Sequence, residues 1–331
     1  MDLASIERQP GEIGRVETAR ASPSDRRSAY LVTLGLAICA VACTPHAPPE
    51  RASERQDSSP AAPLAIDAGE RSAAGDDAGD AGHVGRRAAL AGYPEQLELL
   101  DGKEKLGFVS VPLGARELRP VMIAIHGGSE KPERACSAWR GVTEAYPFVV
   151  CPRGWGGADS TLGWRTTADT AARIARAVAA TKKTFPSWVK DTATIVLAGF
   201  SMGGSQVALL ARGDPQTYRR IVVGDSAHDP QPALTFSRAW AKGGGQRAVF
   251  LCTTSGCEPA LRFAARNVAT EKAPARLNIA ATQVHGLSEP AVQSMRRDFP
   301  WLVEGAEGWE TYVPKSEPSL PGKTETFDPL Q

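Results

Sequence analysis

Between residues 93 and 312 the chain alternates short, almost wholly apolar runs with longer stretches in which apolar positions recur every three or four residues. The short runs, at 108–111, 121–125, 148–151, 194–198, 221–223, 248–252 and 277–284, predict strands. The longer stretches, at 133–145, 167–185, 202–212, 233–242, 259–270 and 289–298, predict helices; Val207, Leu210 and Ala211, for example, fall on one helical face. Continuous apolar strands require cover on both faces, whereas a half-exposed strand alternates. Strand and helix in turn therefore predict an α/β fold: a doubly wound, mostly parallel sheet. About 220 residues suffice for one core and leave no room for a second domain. No long insertion separates the strand ending near 223 from the next helix, so no large lid is predicted and a site above the sheet is expected to be open to solvent.

Outside this region the pattern changes. Residues 1–28 are polar and include Arg26-Arg27; an apolar run follows at 30–42 and closes on Cys43. A positive flank, a short apolar core and small residues before a break mark an export signal, and the run is too short to span a bilayer, which takes about 20 residues. Ala40-Val41-Ala42-Cys43 resembles a bacterial lipobox, which would lipidate Cys43 and anchor the chain to a membrane, although Ala40 stands where Leu is usual. An ordinary cleaved signal and a twin-arginine signal are the alternatives. Residues 1–43 are thus read as an export and lipoprotein signal, and extracytoplasmic localisation in the periplasm or at the cell surface is expected. Residues 44–92 hold no aromatic residue and are dominated by Ala, Pro, Gly, Asp, Ser and Arg. So little apolar surface cannot offset the entropy of ordering, which predicts a disordered tether. The folded domain is placed at 93–312 and a flexible tail at 313–331.

Composition narrows the function classes. A net charge of +1 with no basic stripe argues against a nucleic-acid partner. No Cys/His cluster has metal-site spacing and no glycine-rich phosphate loop follows a strand, so neither metal nor cofactor is predicted. In an oxidising compartment Cys136, Cys151, Cys252 and Cys257 invite two disulfides. Spacing favours Cys252 with Cys257 and Cys136 with Cys151, although three pairings are possible and buried free thiols are the alternative.

The chemistry centres on Gly199-Phe200-Ser201-Met202-Gly203, a Gly-x-Ser-x-Gly between a predicted strand and a predicted helix. That context is the form of a nucleophile elbow, in which a sharp turn lifts the serine Oγ above the sheet and small residues relieve crowding. Serine is a weak nucleophile at neutral pH and needs a base. Of the five histidines, His46 and His83 lie in the tether, His126 ends a strand, His228 follows the strand after the elbow, and His285 follows the last predicted strand. A base on a late loop is expected, which selects His285 over the runner-up His228. His126-Gly127-Gly128-Ser129 brings glycine backbone close to the substrate, so an N–H of Gly127 or Gly128 can join that of Met202 in an oxyanion hole. Trp155, Trp164 and Arg165, on the loop after 148–151, either line the substrate pocket or pack the loop down.

His126-Gly127-Gly128, Pro152-Arg153-Gly154, Gly199-Phe200-Ser201-Met202-Gly203-Gly204 and His285-Gly286 together resemble the α/β-hydrolase superfamily over residues 106–305, nearer to compact esterases of the dienelactone-hydrolase and polyhydroxybutyrate-depolymerase-like kind than to lidded lipases. The resemblance implies acyl-ester hydrolysis through an acyl-enzyme. It also implies an acid, usually Asp, after the penultimate strand, where this chain reads Cys252-Thr253-Thr254-Ser255-Gly256-Cys257-Glu258. Glu258 is the only carboxylate there and is taken as the acid, with Asp225 after the preceding strand, or no acid at all, as the alternatives. The expected function is a monomeric, membrane-tethered serine hydrolase, a carboxylesterase of small-molecule esters. The alternative is a surface lipoprotein of the same fold that binds without turnover.

Overall fold

The computed structural model describes residues 87–156, 162–226, 230–280, 282–315 and 320–329. The export segment with Cys43, the tether as far as residue 86, and His46, His83 and His228 lie outside them. Among the described residues no helix is long and apolar enough to cross a membrane.

Among the described residues nine strands form one sheet: β1 (Gln96–Asp101), β2 (Glu104–Ser110), β3 (Val121–Ile125), β4 (Phe148–Pro152), β5 (Val196–Phe200), β6 (Arg220–Gly224), β7 (Arg247–Cys252), β8 (Ala275–Ile279) and β9 (Lys323–Phe327), in the order β1-β2-β4-β3-β5-β6-β7-β8-β9. The block from β4 to β8 is parallel, while β1, β2 and β9 add antiparallel pairings at the two sides. Between the strands run α1 (Pro132–Val142), α2 (Thr167–Thr184), α3 (Met202–Gly213), α4 (Pro230–Lys242), α5 (Glu258–Thr270) and α6 (Glu289–Val303).

The apolar runs are continuous because alternate residues serve two cores. Ile123, Leu197, Ile221 and Phe250 face one core, which Ile174 of α2, Val207 of α3, Trp240 of α4 and Leu261 of α5 complete. Met122, Val196, Val222 and Val249 face the other, closed by Trp139 of α1 and Phe299 of α6. The predicted doubly wound α/β class is the observed one. The disulfides join Cys136 of α1 to Cys151 of β4 and Cys252 of β7 to Cys257 just before α5, the pairing favoured by spacing.

The structure departs from the sequence reading at the margins. Leu90 is buried and exchanges backbone hydrogen bonds with Ala115 and Gly114, so the fold begins before residue 93. The segment read as a flexible tail from 313 contains β9, paired along β8, with Arg262 of α5 bonded to Glu325. The predicted strand 277–284 ends at Ile279, and the residues beyond it form the loop that carries His285.

Parallel register fixes where the strands end. Ile125 of β3 lies opposite Gly199 of β5, Phe200 opposite Gly224 of β6, and Gly224 opposite Leu251 of β7. The residues that follow, His126, Ser201, Asp225 and Thr253, therefore emerge side by side at one edge of the sheet. Loops at the carboxyl ends of parallel strands are where α/β folds place ligands.

Candidate active site

Ser201 turns the chain from β5 into α3 with φ 54° and ψ −122°, a conformation rare for a non-glycine residue and costly unless its surroundings impose it. Its own N–H donates to Gly224 O at 2.8 Å, which pins the turn to β6. Helix α3 passes so close under β3 that a Cβ on Gly203 would overlap the carbonyls of Ile125 and His126, which is why glycine stands there.

His285 Nε2 lies 2.9 Å from Ser201 Oγ, and His285 Nδ1 lies 3.0 Å from Asp225 Oδ2. With Nδ1–H donating to the carboxylate, the other ring nitrogen accepts the serine hydroxyl. The imidazole packs against the Phe200 ring at 5.0 Å between centroids, and its side chain keeps 38% of its surface exposed. The site is open, without a lid over it among the described residues.

Asp225 is 2% exposed and sits at φ 38°, immediately after β6. Thr253 holds it twice: the Thr253 N–H donates to Oδ1 at 2.8 Å and the Thr253 hydroxyl donates to Oδ2. A disulfide sulfur, Cys257 Sγ, lies 2.8 Å from Oδ1. Because it carries no hydrogen, it packs against the carboxylate without donating to it. Three donors, including His285, suit an ionised carboxylate. Asp225, Cys252 and Cys257 bring three possible ligand atoms within 4.8 Å of one another, but both sulfurs are committed to the disulfide.

Glu258 makes no hydrogen bond or ion pair with His285. It opens α5 and pairs with Arg262, which also binds Glu325 of β9. The expectation that Glu258 orients the histidine is therefore corrected to Asp225. The disulfide turns the loop after β7 so that Thr253, and not Glu258, faces the site, while β6, adjacent to β5, delivers Asp225 beside the elbow.

His126 is a structural residue. Its Nδ1–H donates to Gly127 O at 2.7 Å and its Nε2 accepts from Gly154 N at 3.0 Å, so both nitrogens are engaged. Burial pushes its pKa down to about 4, opposed by the bond to Gly127 and aided by the nearby Arg153 charge. It is neutral at ordinary pH and clamps the turn after β3 to the loop after β4.

In that turn the two glycines differ. Gly127 N–H donates to Glu130 Oε2 at 2.8 Å and Ser129 N–H donates to Leu162 O at 2.8 Å. Among the described residues no hydrogen bond is made by the N–H of Gly128 or by that of Met202, the first residue of α3. A Cβ on Gly128 would lie 3.1 Å from Met202 Cε, so the Met202 side chain packs against this glycine. The sequence left Gly127 and Gly128 as alternatives; the amide not already engaged belongs to Gly128.

A cleft of about 430 Å³ opens over Ser201 and His285, walled by Gly128, Glu130, Arg134, Phe200 and Leu287. Trp155, Trp164 and Arg165 do not line it. Trp164 is buried and donates from its indole N–H to His126 O at 2.9 Å, supporting the glycine turn from behind. The guanidinium groups of Arg165, at 4.1 Å, and Arg173, at 3.8 Å, both lie over the Trp155 ring. Of the two sequence readings for these residues, packing of the loop is the one observed. A larger cleft of about 510 Å³, beside Trp301 and Tyr312 near the end of α6, contains no pairing of a nucleophile with a base.

No protein-family model matches the chain, and no curated protein matches it. Solved structures that resemble it include Est1E from Butyrivibrio proteoclasticus, at 13% identity and a TM-score of 0.44, over 64% of this chain and 100% of that one. A Pyrococcus horikoshii acylaminoacyl peptidase is 15% identical at a TM-score of 0.45, over 69% of this chain and 43% of the peptidase. TT1662 from Thermus thermophilus is 14% identical at a TM-score of 0.42, over 63% of this chain and 98% of that one. Among the described residues the elbow follows β5, the glycine turn follows β3 and the late histidine follows β8, all at one edge of a mostly parallel α/β sheet.

Proposed function

We propose that the protein is a serine hydrolase, a carboxylesterase that cleaves small-molecule esters through an acyl-enzyme on Ser201. The observation that carries this reading is the unbroken relay from Ser201 Oγ to His285 to Asp225, at 2.9 and 3.0 Å, beside two unengaged amides.

Ser201 Oγ attacks the acyl carbon while His285 Nε2 takes its proton, and the imidazolium that forms is stabilised by the Asp225 carboxylate. Negative charge gathers on the former carbonyl oxygen, where the N–H groups of Gly128 and Met202 meet it at the start of α3. Losing one such donor typically slows an enzyme by about 10²- to 10³-fold. Collapse of the tetrahedral adduct expels the alcohol, which receives the proton from His285. Water, activated by the same histidine, then attacks the acyl-enzyme and releases the acid and Ser201.

The two disulfides support an extracytoplasmic location, since such bonds persist in oxidising compartments. A lipid anchor on Cys43 is the proposed attachment to the membrane. The reading as a binding module drew on an acid loop without Asp; with Asp225 bonded to His285, that motive falls away.

Turnover of p-nitrophenyl esters from acetate to octanoate by the full chain, alongside Ser201→Ala and His285→Ala, tests the proposal. Hydrolysis by wild type with near-complete loss in both variants is expected. No hydrolysis of any ester, or unchanged hydrolysis in Ser201→Ala, contradicts it.

A further inference from the structure

We propose that Glu130 is a positioning residue that sets the oxyanion site: by accepting the Gly127 N–H it holds the turn after β3 so that the Gly128 N–H stays free beside that of Met202. The proposal rests on the reading of Ser201 as the nucleophile and adds to it a residue outside the relay.

Four hydrogen bonds hold this turn. Trp164 Nε1 donates to His126 O at 2.9 Å, and His126 Nδ1 donates to Gly127 O at 2.7 Å. The Gly127 N–H goes to Glu130 Oε2 at 2.8 Å, and the Ser129 N–H goes to Leu162 O at 2.8 Å. The N–H of Gly128, between two engaged amides, makes no hydrogen bond among the described residues. Ser129 holds φ 62°, an unfavourable value for a side-chain-bearing residue that its neighbours must maintain. Glu130, half-buried on the cleft wall, closes the turn from the solvent side. A Cβ on Gly127 would lie 3.3 Å from Glu130 Oε2 and 3.5 Å from Ser201 Cβ, so Glu130 and Ser201 both border this glycine.

Charge decides which role Glu130 plays. A carboxylate near a forming oxyanion repels it, so electrostatic assistance to the reaction is the wrong sign. What Glu130 supplies is an acceptor oxygen at a fixed reach. Removal of the acceptor should misalign the Gly128 amide in the transition state and leave ground-state binding little changed, which appears in kcat and not in KM.

Steady-state hydrolysis of a neutral p-nitrophenyl ester by full-length wild type, Glu130→Ala, Glu130→Asp and Glu130→Gln tests this. Ala lacks the acceptor and Asp, one methylene shorter, keeps the charge but falls short of the amide. Both should lose at least about tenfold in kcat with KM within about twofold of wild type, in line with the cost of weakening one oxyanion donor. Glutamine keeps the oxygen without the charge and should recover most of that loss. Wild-type kcat in Glu130→Asp, whether or not Glu130→Ala folds, overturns the proposal, as does a Gln variant no better than Ala. A wild type inert both to the ester and to a fluorophosphonate probe overturns the reading of Ser201 and takes this proposal with it, whereas an active wild type with an equally active Asp variant overturns this proposal alone.

Discussion

The Asp225 carboxylate lies 3.0 Å from Nδ1 of His285, although 60 residues separate the two in the chain. The contact exists because β6 runs beside β5, so the first residue after β6 emerges next to the elbow, and His285, beyond β8, meets both Asp225 and Ser201. In the proposed mechanism this relationship makes Asp225 the acid.

Asp225→Asn is accordingly expected to cut kcat by about 10⁴-fold, since a neutral amide neither favours the required histidine tautomer nor stabilises the imidazolium. Glu258→Gln should change kcat little, because Glu258 pairs with Arg262 at the start of α5. Steady-state kinetics of the two variants side by side separate these outcomes; a larger loss in Glu258→Gln would contradict the assignment.

The two disulfides should differ in what their removal costs. Cys252–Cys257 fixes the loop whose Thr253 donates twice to Asp225, so replacing both cysteines by serine is expected to lower kcat. Cys136–Cys151 closes a loop with a sequence separation of 15 between α1 and β4, and its loss should cost stability, about 3 kcal/mol from chain entropy. Denaturant unfolding and kinetics on both double variants check this. A Cys252–Cys257 variant with wild-type kcat would show that the loop holds Asp225 without its clamp.

His126 predicts a pH-dependent stability. Its pKa lies at about 4 in the folded protein against an ordinary 6.5, so between these values the unfolded chain binds the extra proton. The stabilisation is complete above pH 6.5 and is lost as pH falls toward 4, with a total on the order of 3 kcal/mol. Midpoints of urea unfolding from pH 8 to pH 4 should therefore fall more steeply for wild type than for His126→Asn, which cannot titrate at this position. Parallel curves would contradict the assignment of His126 as buried and neutral.

Residues whose role depends on local sequence were legible before the fold. The elbow around Ser201, the glycines after β3 and the late His285 each announce themselves within a few residues, because their chemistry needs a turn, a close backbone approach or a loop at a strand end. Asp225 was legible only as one of several candidates. Its selection depends on which strand lies beside β5 and on how a disulfide turns the next loop, both long-range facts. Likewise β9, Lys-Thr-Glu-Thr-Phe, reads as polar tail because an edge strand pairs on one side only and needs no continuous apolar run. Trp164 and Trp155 show the same limit: composition marks a loop that could meet a ligand, but only packing shows that their rings serve His126 and two arginines.

Covalent labelling with a fluorophosphonate probe tests the central claim most directly, because it requires an activated serine and working oxyanion donors but no knowledge of the natural substrate. Folded wild-type protein is expected to gain one adduct, located at Ser201 by peptide mass analysis, with none in Ser201→Ala and none in heat-unfolded wild type. Absence of labelling in the folded protein, or the same labelling in Ser201→Ala, would contradict the account.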